Sequence, residues 1–179
     1  LQWAASTISV GCHAVKDVND VGRGIGTSMR VKELFFNTPA RRKFMRSAAT
    51  EEAHIIRALQ QVALGRPGVG VKLSNEKRTL LDIRAEDSTK ERLLTVLGRQ
   101  VQGFLETQES HEGIDVRIFR SAPLATRKDS KGLWVFLNGR FIRDRMLQKA
   151  ILDAFPPDSL GGYPIMVVYI DADPANFDI

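Results

Sequence analysis

Cysteine is the scarcest resource of this 179-residue chain: Cys12 stands alone, beside only three histidines and two tryptophans. One thiol closes no internal disulfide, so a cross-link cannot substitute for a hydrophobic core. Cys12 is followed by His13, but His54 and His111 lie far along the chain, and no zinc-ligand spacing results. Long apolar runs are missing too. The longest, "IMVVYI" from Ile165, is far short of the roughly 18 residues of a membrane span. No basic-then-apolar leader opens the chain, and the expectation is a soluble, intracellular protein. Nor is there a catalytic set: no Ser-His-Asp combination has supporting context, and Glu51 and Glu52 read as dipole partners of a helix start rather than general bases. The expected catalytic and metal-binding residues are therefore none.

What is present is a globular composition, 43% hydrophobic and 26% charged, with an uneven distribution of charge. The net +5 conceals two basic segments. Arg23 to Arg46 holds seven cations (Arg23, Arg30, Lys32, Arg41, Arg42, Lys43, Arg46) against Glu33 alone. Arg127 to Lys149 holds seven more (Arg127, Lys128, Lys131, Arg140, Arg143, Arg145, Lys149) against Asp129 and Asp144, which leaves the remainder net acidic. Charge concentrated in this way attracts polyanions, where evenly mixed charge does not.

Hydrophobic periodicity orders the rest. "TSMRVKELFF" from Thr27 alternates as a half-buried strand would, and a short helix starts at Pro39 with Thr38 as its cap. Thr50 opens a longer helix, with Ile55, Ile56, Leu59, Val62 and Ala63 on one face and Arg57, Gln60 and Gln61 on the other; Gly65 and Pro67 end it. "VGVKL" and "TLLDIR" flank a polar link as a hairpin, and "STKE" is a capping box that starts a helix through about Leu97. "IDVRIFR" from Ile114 alternates, whereas "LWVFL" from Leu133 and the segment from Pro164 to Ile170 are apolar on both faces and belong inside a sheet. Asp144 caps a helix whose stripe is Met146, Leu147, Ala150, Ile151, Ala154 and Phe155, stopped by Pro156 and Pro157. Strands interleaved with four helices predict an α+β fold, a two-layer mixed sheet with helices on one face. "LQWAASTISV" reads as a strand of something preceding, joined by the Gly-rich link "GRGIG".

"GRGIGT" lacks the Gly-Lys-Ser/Thr ending of a P-loop and the context of a dinucleotide fingerprint, and taken alone it reads as a linker. In "TPARRK", Arg41, Arg42 and Lys43 crowd a helix start that ordinarily favours acids. Two readings stand side by side: cations extending into water, or a phosphate bound among them. "NGRFIRDR" displays Arg140, Arg143 and Arg145 around a strand-to-helix corner, again either solvated or anion-binding, and it shares the plan of the first element: strand, turn, helix start, arginines.

Together, "GIGTSMRVKELFFNTPARRKFM", "WVFLNGRFIRDRMLQKAI" and "YPIMVVYIDADPANFDI" resemble the MutL family of DNA mismatch-repair proteins over Gly24 to Ile179. The resemblance implies the transducer domain of that family's N-terminal ATPase region, a ribosomal-protein-like fold shared with gyrase-type ATPases, over residues 24–179. Residues 1–23 would be a remnant of the preceding ATPase domain or a linker, and the chain would be an excised piece. By the same resemblance Gly26 and Thr27 match the last ATP-site motif, and Arg145 matches the DNA-binding arginine. Arg143, Arg140, Arg41, Arg42 and Lys43 join it as candidate DNA contacts. The family's acidic catalytic motif would lie upstream of Leu1 and its γ-phosphate lysine beyond Ile179, so the chain by itself would be no enzyme and hold no cofactor. The longer protein would be a slow, DNA-stimulated ATPase using ATP and Mg, a homodimer working on DNA with the mismatch-recognition protein MutS and downstream repair factors, in the bacterial cytoplasm at the nucleoid. A self-sufficient phosphotransferase or ATPase and an RNA-binding or ribosomal module of the same fold are the alternatives.

Overall fold

The computed structural model describes residues 5–11, 14–21, 26–98, 103–122, 126–128, 130–155 and 162–176. Two compact units divide the chain, Leu1–Met45 and Arg46–Ile179. The expected boundary between residues 23 and 24 lies outside the described residues, as do Pro156 and Pro157.

In the first unit, β1 (Ala5–Gly11) and β2 (Ala14–Val21) pair antiparallel, with a register irregularity between Ser9 and Val10. The strand predicted over Thr27–Phe36 does not form. Residues 27–32 are irregular, and a turn follows in which Glu33 and Phe35 take positive φ (50° and 63°), a geometry that interrupts any pleat. Met29 and Val31 remain 89% and 70% exposed, so the alternation has no sheet to bury its apolar side. Helix α1 (Pro39–Lys43) starts with Pro39 as expected, but Thr38 makes no side-chain capping bond.

The second unit is built on a mixed five-stranded sheet. Its strands are β5 (Leu105–His111), β6 (Ile114–Arg120), β8 (Leu133–Leu137), β9 (Arg140–Ile142) and β11 (Met166–Ala172), in the order β5-β6-β11-β8-β9. Only β11 and β8 run parallel; the other neighbours are antiparallel. The two segments that read as apolar on both faces, β8 and β11, are indeed interior strands. A short pair, β7 (Thr126–Arg127) with β10 (Tyr163–Pro164), lies apart from that sheet, as does the hairpin β3 (Val71–Ser74) and β4 (Thr79–Ile83).

Strand alternation sorts the core into two faces. Phe119, Trp134, Phe136, Val167 and Tyr169 share one, covered by Leu64 of α2 (Ala48–Gly65) and Leu93 of α3 (Thr89–Leu97). Leu133, Val135, Met166 and Val168 form the other, packed by Leu147, Ile151, Leu152 and Phe155 of α4 (Arg145–Ala154). The α+β class and mixed sheet are as expected, and α2 and α3 do lie on one face; α4 differs by lying on the opposite one. The cause is visible in β8 and β11, whose second apolar face needs its own cover. The α4 stripe is also narrower than predicted, with Met146 82% exposed and Leu152 turned in.

Local signals hold up at the helix starts. Ser47, three residues before the predicted start, caps α2 by accepting from the Thr50 N–H at 3.3 Å, and the Glu51 carboxylate accepts from the Arg46 N–H at 2.9 Å. Ser88 and Glu91 form the full capping box; two bonds from Ser88, hydroxyl and backbone N–H, hold the Glu91 carboxyl below the usual carboxylate range. Arg92, unremarked in the sequence, is 1% exposed and gives all five guanidinium donors to backbone carbonyls: Asp87, Ala63, Val69, Arg84 and Ala85, at 2.6–3.1 Å. It ties α3 to the end of α2 and to the link before α3.

Candidate nucleic-acid interface

The corner between β8 and α4 carries the second basic segment. Asn138 and Gly139 both take positive φ (49° and 75°), the two-residue turn geometry that matches strand twist, and Leu137 faces Arg140 across it. The Asn138 side chain does more than bend. Its amide donates to the Ala172 carbonyl at 2.9 Å and accepts from the Ala172 N–H at 3.0 Å, adding a rung to β11 beyond the end of β8. Gly139 meets Gly65 backbone to backbone: a Cβ on Gly139 would sit 2.6 Å from the Gly65 oxygen, and one on Gly65 would sit 2.4 Å from the Gly139 oxygen. The corner is therefore locked to α2.

From this anchored turn the cations fan out. Phe141 turns inward, edge-on to Trp134 (5.8 Å) and Phe136 (5.7 Å), and by alternation Arg140 points to the other side of β9. Arg143 is exposed, its guanidinium 5.5 Å from the Phe141 ring centre. Asp144 is consumed as the cap, accepting from the Leu147 N–H at 2.7 Å, as the sequence predicted. Arg145 is then the first residue of α4 and is exposed.

Two adjoining clefts separate these arginines. Arg145 lines one of about 370 Å³ with Gln148, Lys149, Leu152, Asp153 and Tyr163, where Lys149 pairs with Asp153 at 2.8 Å. Arg143 lines the other, of about 530 Å³, with Arg57, Arg127, Lys131, Phe141 and Gln148. Gln148 belongs to both, whereas Arg140 lines neither.

Arg57 is the residue that sequence reading misplaced. Assigned to the solvent face of α2, it lies instead with its guanidinium 3.3 Å over the Trp134 ring centre, and Ile55 and Val62, assigned to the core, are 50% and 46% exposed. The inward face of α2 is thus rotated by about one residue, because an indole can accept a cation where an aliphatic surface cannot. Half-burial, then the charges of Arg143 and Arg127, push the Arg57 pKa down to about 10.

The first basic segment resolves differently. Helix α1 has five residues, little more than one turn, so Arg41, Arg42 and Lys43 sit in its last turn, beside carbonyls that favour cations. The apparent conflict with the helix dipole disappears with the helix's length. All three are exposed. Gly26 takes φ 137° with open space where a Cβ would be, and Thr27 is exposed; these are the two residues of the described chain that the ATP-site resemblance singled out. Among the described residues no group of three or more His, Cys, Asp or Glu could hold a metal ion, and no helix is long and apolar enough to cross a membrane.

The architecture, a mixed sheet with a basic strand-turn-helix corner, is that of the C-terminal part of a MutL-type ATPase module. The Aquifex aeolicus MutL ATPase domain complexed with ADP superposes with a TM-score of 0.77 at 29% identity, covering 96% of this chain and 63% of that one. The family profile described as DNA mismatch repair protein, C-terminal domain, matches residues 93–179. DNA mismatch repair protein MutL from Geobacter sp. (strain M21) is 39% identical over 168 residues, 92% of this chain, and that from Anaeromyxobacter dehalogenans (strain 2CP-1 / ATCC BAA-258) is 35% identical over 182 residues, 98% of it. The chain belongs to the MutL family of DNA mismatch-repair proteins. It spans 26% and 29% of the length of those two relatives, so it corresponds to about a quarter of such a protein.

Proposed function

We propose that this chain is the transducer segment of a MutL-type repair protein and that it contacts duplex DNA through the phosphate backbone. The observation that carries the reading is the β8–α4 corner. Asp144 is spent on the helix cap, and Arg143 and Arg145 stand exposed on the two clefts that share Gln148, past β9 and the turn that Asn138 and Gly139 anchor to β11 and α2. Exposed guanidiniums on a rigid frame suit phosphate, which they meet in bidentate fashion with little sequence information. Arg140 and, from the other unit, Arg41, Arg42 and Lys43 are secondary contacts in this reading.

In the longer protein, ATP with Mg would bind upstream and touch this chain at Gly26 and Thr27. Nucleotide binding and dimerisation of the N-terminal region would then bring the basic corner onto DNA, in slow, DNA-stimulated turnover, with MutS and downstream factors as partners in the bacterial cytoplasm. In this reading the chain contributes Gly26 and Thr27 to a nucleotide site built mainly by other residues of the longer protein; a micromolar Mg-ATP signal in calorimetry of this chain would contradict that.

The test is a duplex titration across salt. Log affinity should fall against log salt by about 0.9 per phosphate engaged, with nearly equal affinity for unrelated sequences. Arg145→Glu should reduce both affinity and slope. Preference for structured RNA over duplex in a competition would favour the RNA-binding alternative instead.

A further inference from the structure

The larger cleft at the corner has a feature that the corner motif does not account for. Arg57 comes from α2, about eighty positions earlier in the chain, yet its guanidinium carbon lies over Trp134, 3.3 Å from the ring centre. Contact with the ring holds the guanidinium in place, and a guanidinium held over an aromatic face keeps its N–H donors for an acceptor at the edge of the ring. Neither Arg57 nor Arg143 is paired with a carboxylate among the described residues, and the described lining residues include no carboxylate. Arg127 and Lys131 line the same space. Burial, and after it the charges of Arg143 and Arg127, hold the Arg57 pKa down. An anion entering the cleft reverses the sign of these interactions.

We propose that the cleft lined by Arg57, Arg127, Lys131 and Arg143 is a second phosphate site, taking a backbone phosphate of a DNA strand between the Trp134-mounted fork of Arg57 and the fork of Arg143. The proposal rests on the DNA-contact reading above and adds a site outside the corner motif. A volume of about 530 Å³ is ample for a phosphodiester with its flanking sugars. The cleft shares Gln148 with the Arg145 cleft, so a strand following the corner passes from one to the other. Free phosphate or a nucleotide would satisfy the same chemistry, and the experiment separates these sources.

The probe is Trp134 itself. The chain has two tryptophans, so a Trp3→Phe background leaves Trp134 as the sole indole. Its emission is followed while a duplex oligonucleotide, and separately inorganic phosphate, is titrated at constant ionic strength. Saturation by duplex at concentrations where millimolar phosphate gives no saturable change is the expected result. Arg143→Gln and Arg57→Lys, the latter keeping stem and charge over the ring, should each weaken duplex binding by about tenfold and lower the salt slope by about one phosphate, with unchanged thermal unfolding. Wild-type affinity and slope in both variants, alongside loss in Arg145→Glu, would overturn the cleft and leave the DNA reading standing. Saturation by phosphate with no response to duplex would overturn the strand assignment. No duplex binding by the parent chain would overturn the DNA reading and this site with it.

Discussion

Two buried polar residues in the second unit behave oppositely. Arg92 is charged and fully satisfied, its five donors shared among five carbonyls, one of them at the C-terminal end of α2 where the helix dipole is negative. Arg92→Met should lower stability by roughly 3–5 kcal/mol, read as a shift of the urea midpoint, because it leaves those carbonyls unpaired in the core. Tyr169 is neutral and unsatisfied: its hydroxyl is buried without a hydrogen-bond partner among the described residues, and its ring neighbours are Phe119, Phe136 and the Arg117 guanidinium at 5.4 Å. Tyr169→Phe removes only that orphan and should stabilise the fold by about 1 kcal/mol. Burial pushes the Tyr169 phenol up to about 12, with Arg117 and Arg92 opposing the rise. The unfolded chain loses this proton near pH 10 and the native one near 12. Stability present below pH 10 is therefore lost as pH rises through that window, by roughly 2–3 kcal/mol at most. The difference in urea midpoint between parent and Tyr169→Phe, measured at pH 9 and pH 11.5, should shift further toward the variant at the higher pH.

At the scale of elements, the β8–β9 turn is the most exacting. Gly139→Ala places a Cβ 2.6 Å from a backbone oxygen at a φ of 75°, and should cost on the order of 2–4 kcal/mol in the same denaturation assay. Asn138→Ala should cost about 1–3 kcal/mol by unpairing both backbone groups of Ala172. Elements with local determinants were legible in the sequence: the Ser88–Glu91 capping box, the Asp144 cap, the alternation of β6 and the doubly apolar β8 and β11. Elements whose form depends on a distant partner were not. The Thr27–Phe36 alternation matched a strand but meets no partner strand among the described residues, and β5, exposed along its whole length, gave no buried period to read: backbone pairing to β6 places it. For α2, the deciding contact was Trp134, seventy-odd residues away, which no window of the helix contains.

Across the whole molecule, charge placement was the most informative property of the sequence, and shape the least. The corner arginines were named from their spacing, and the structure sets Arg143 and Arg145 on neighbouring clefts while turning Arg140 aside. Arg57 could not be found this way, because a lone arginine among helix polar residues carries no signal until the fold brings an indole beneath it. The placement of α4 followed from the same limit: its stripe announced a buried face without saying which side of the sheet would receive it.

The meeting of Gly65 with Gly139 bears on mechanics. Amide touches amide there, with no layer of side chains to compress, so the end of α2 and the β8–β9 turn cannot move closer together. Any displacement of the end of that helix toward the arginine-bearing hairpin has to carry the hairpin with it.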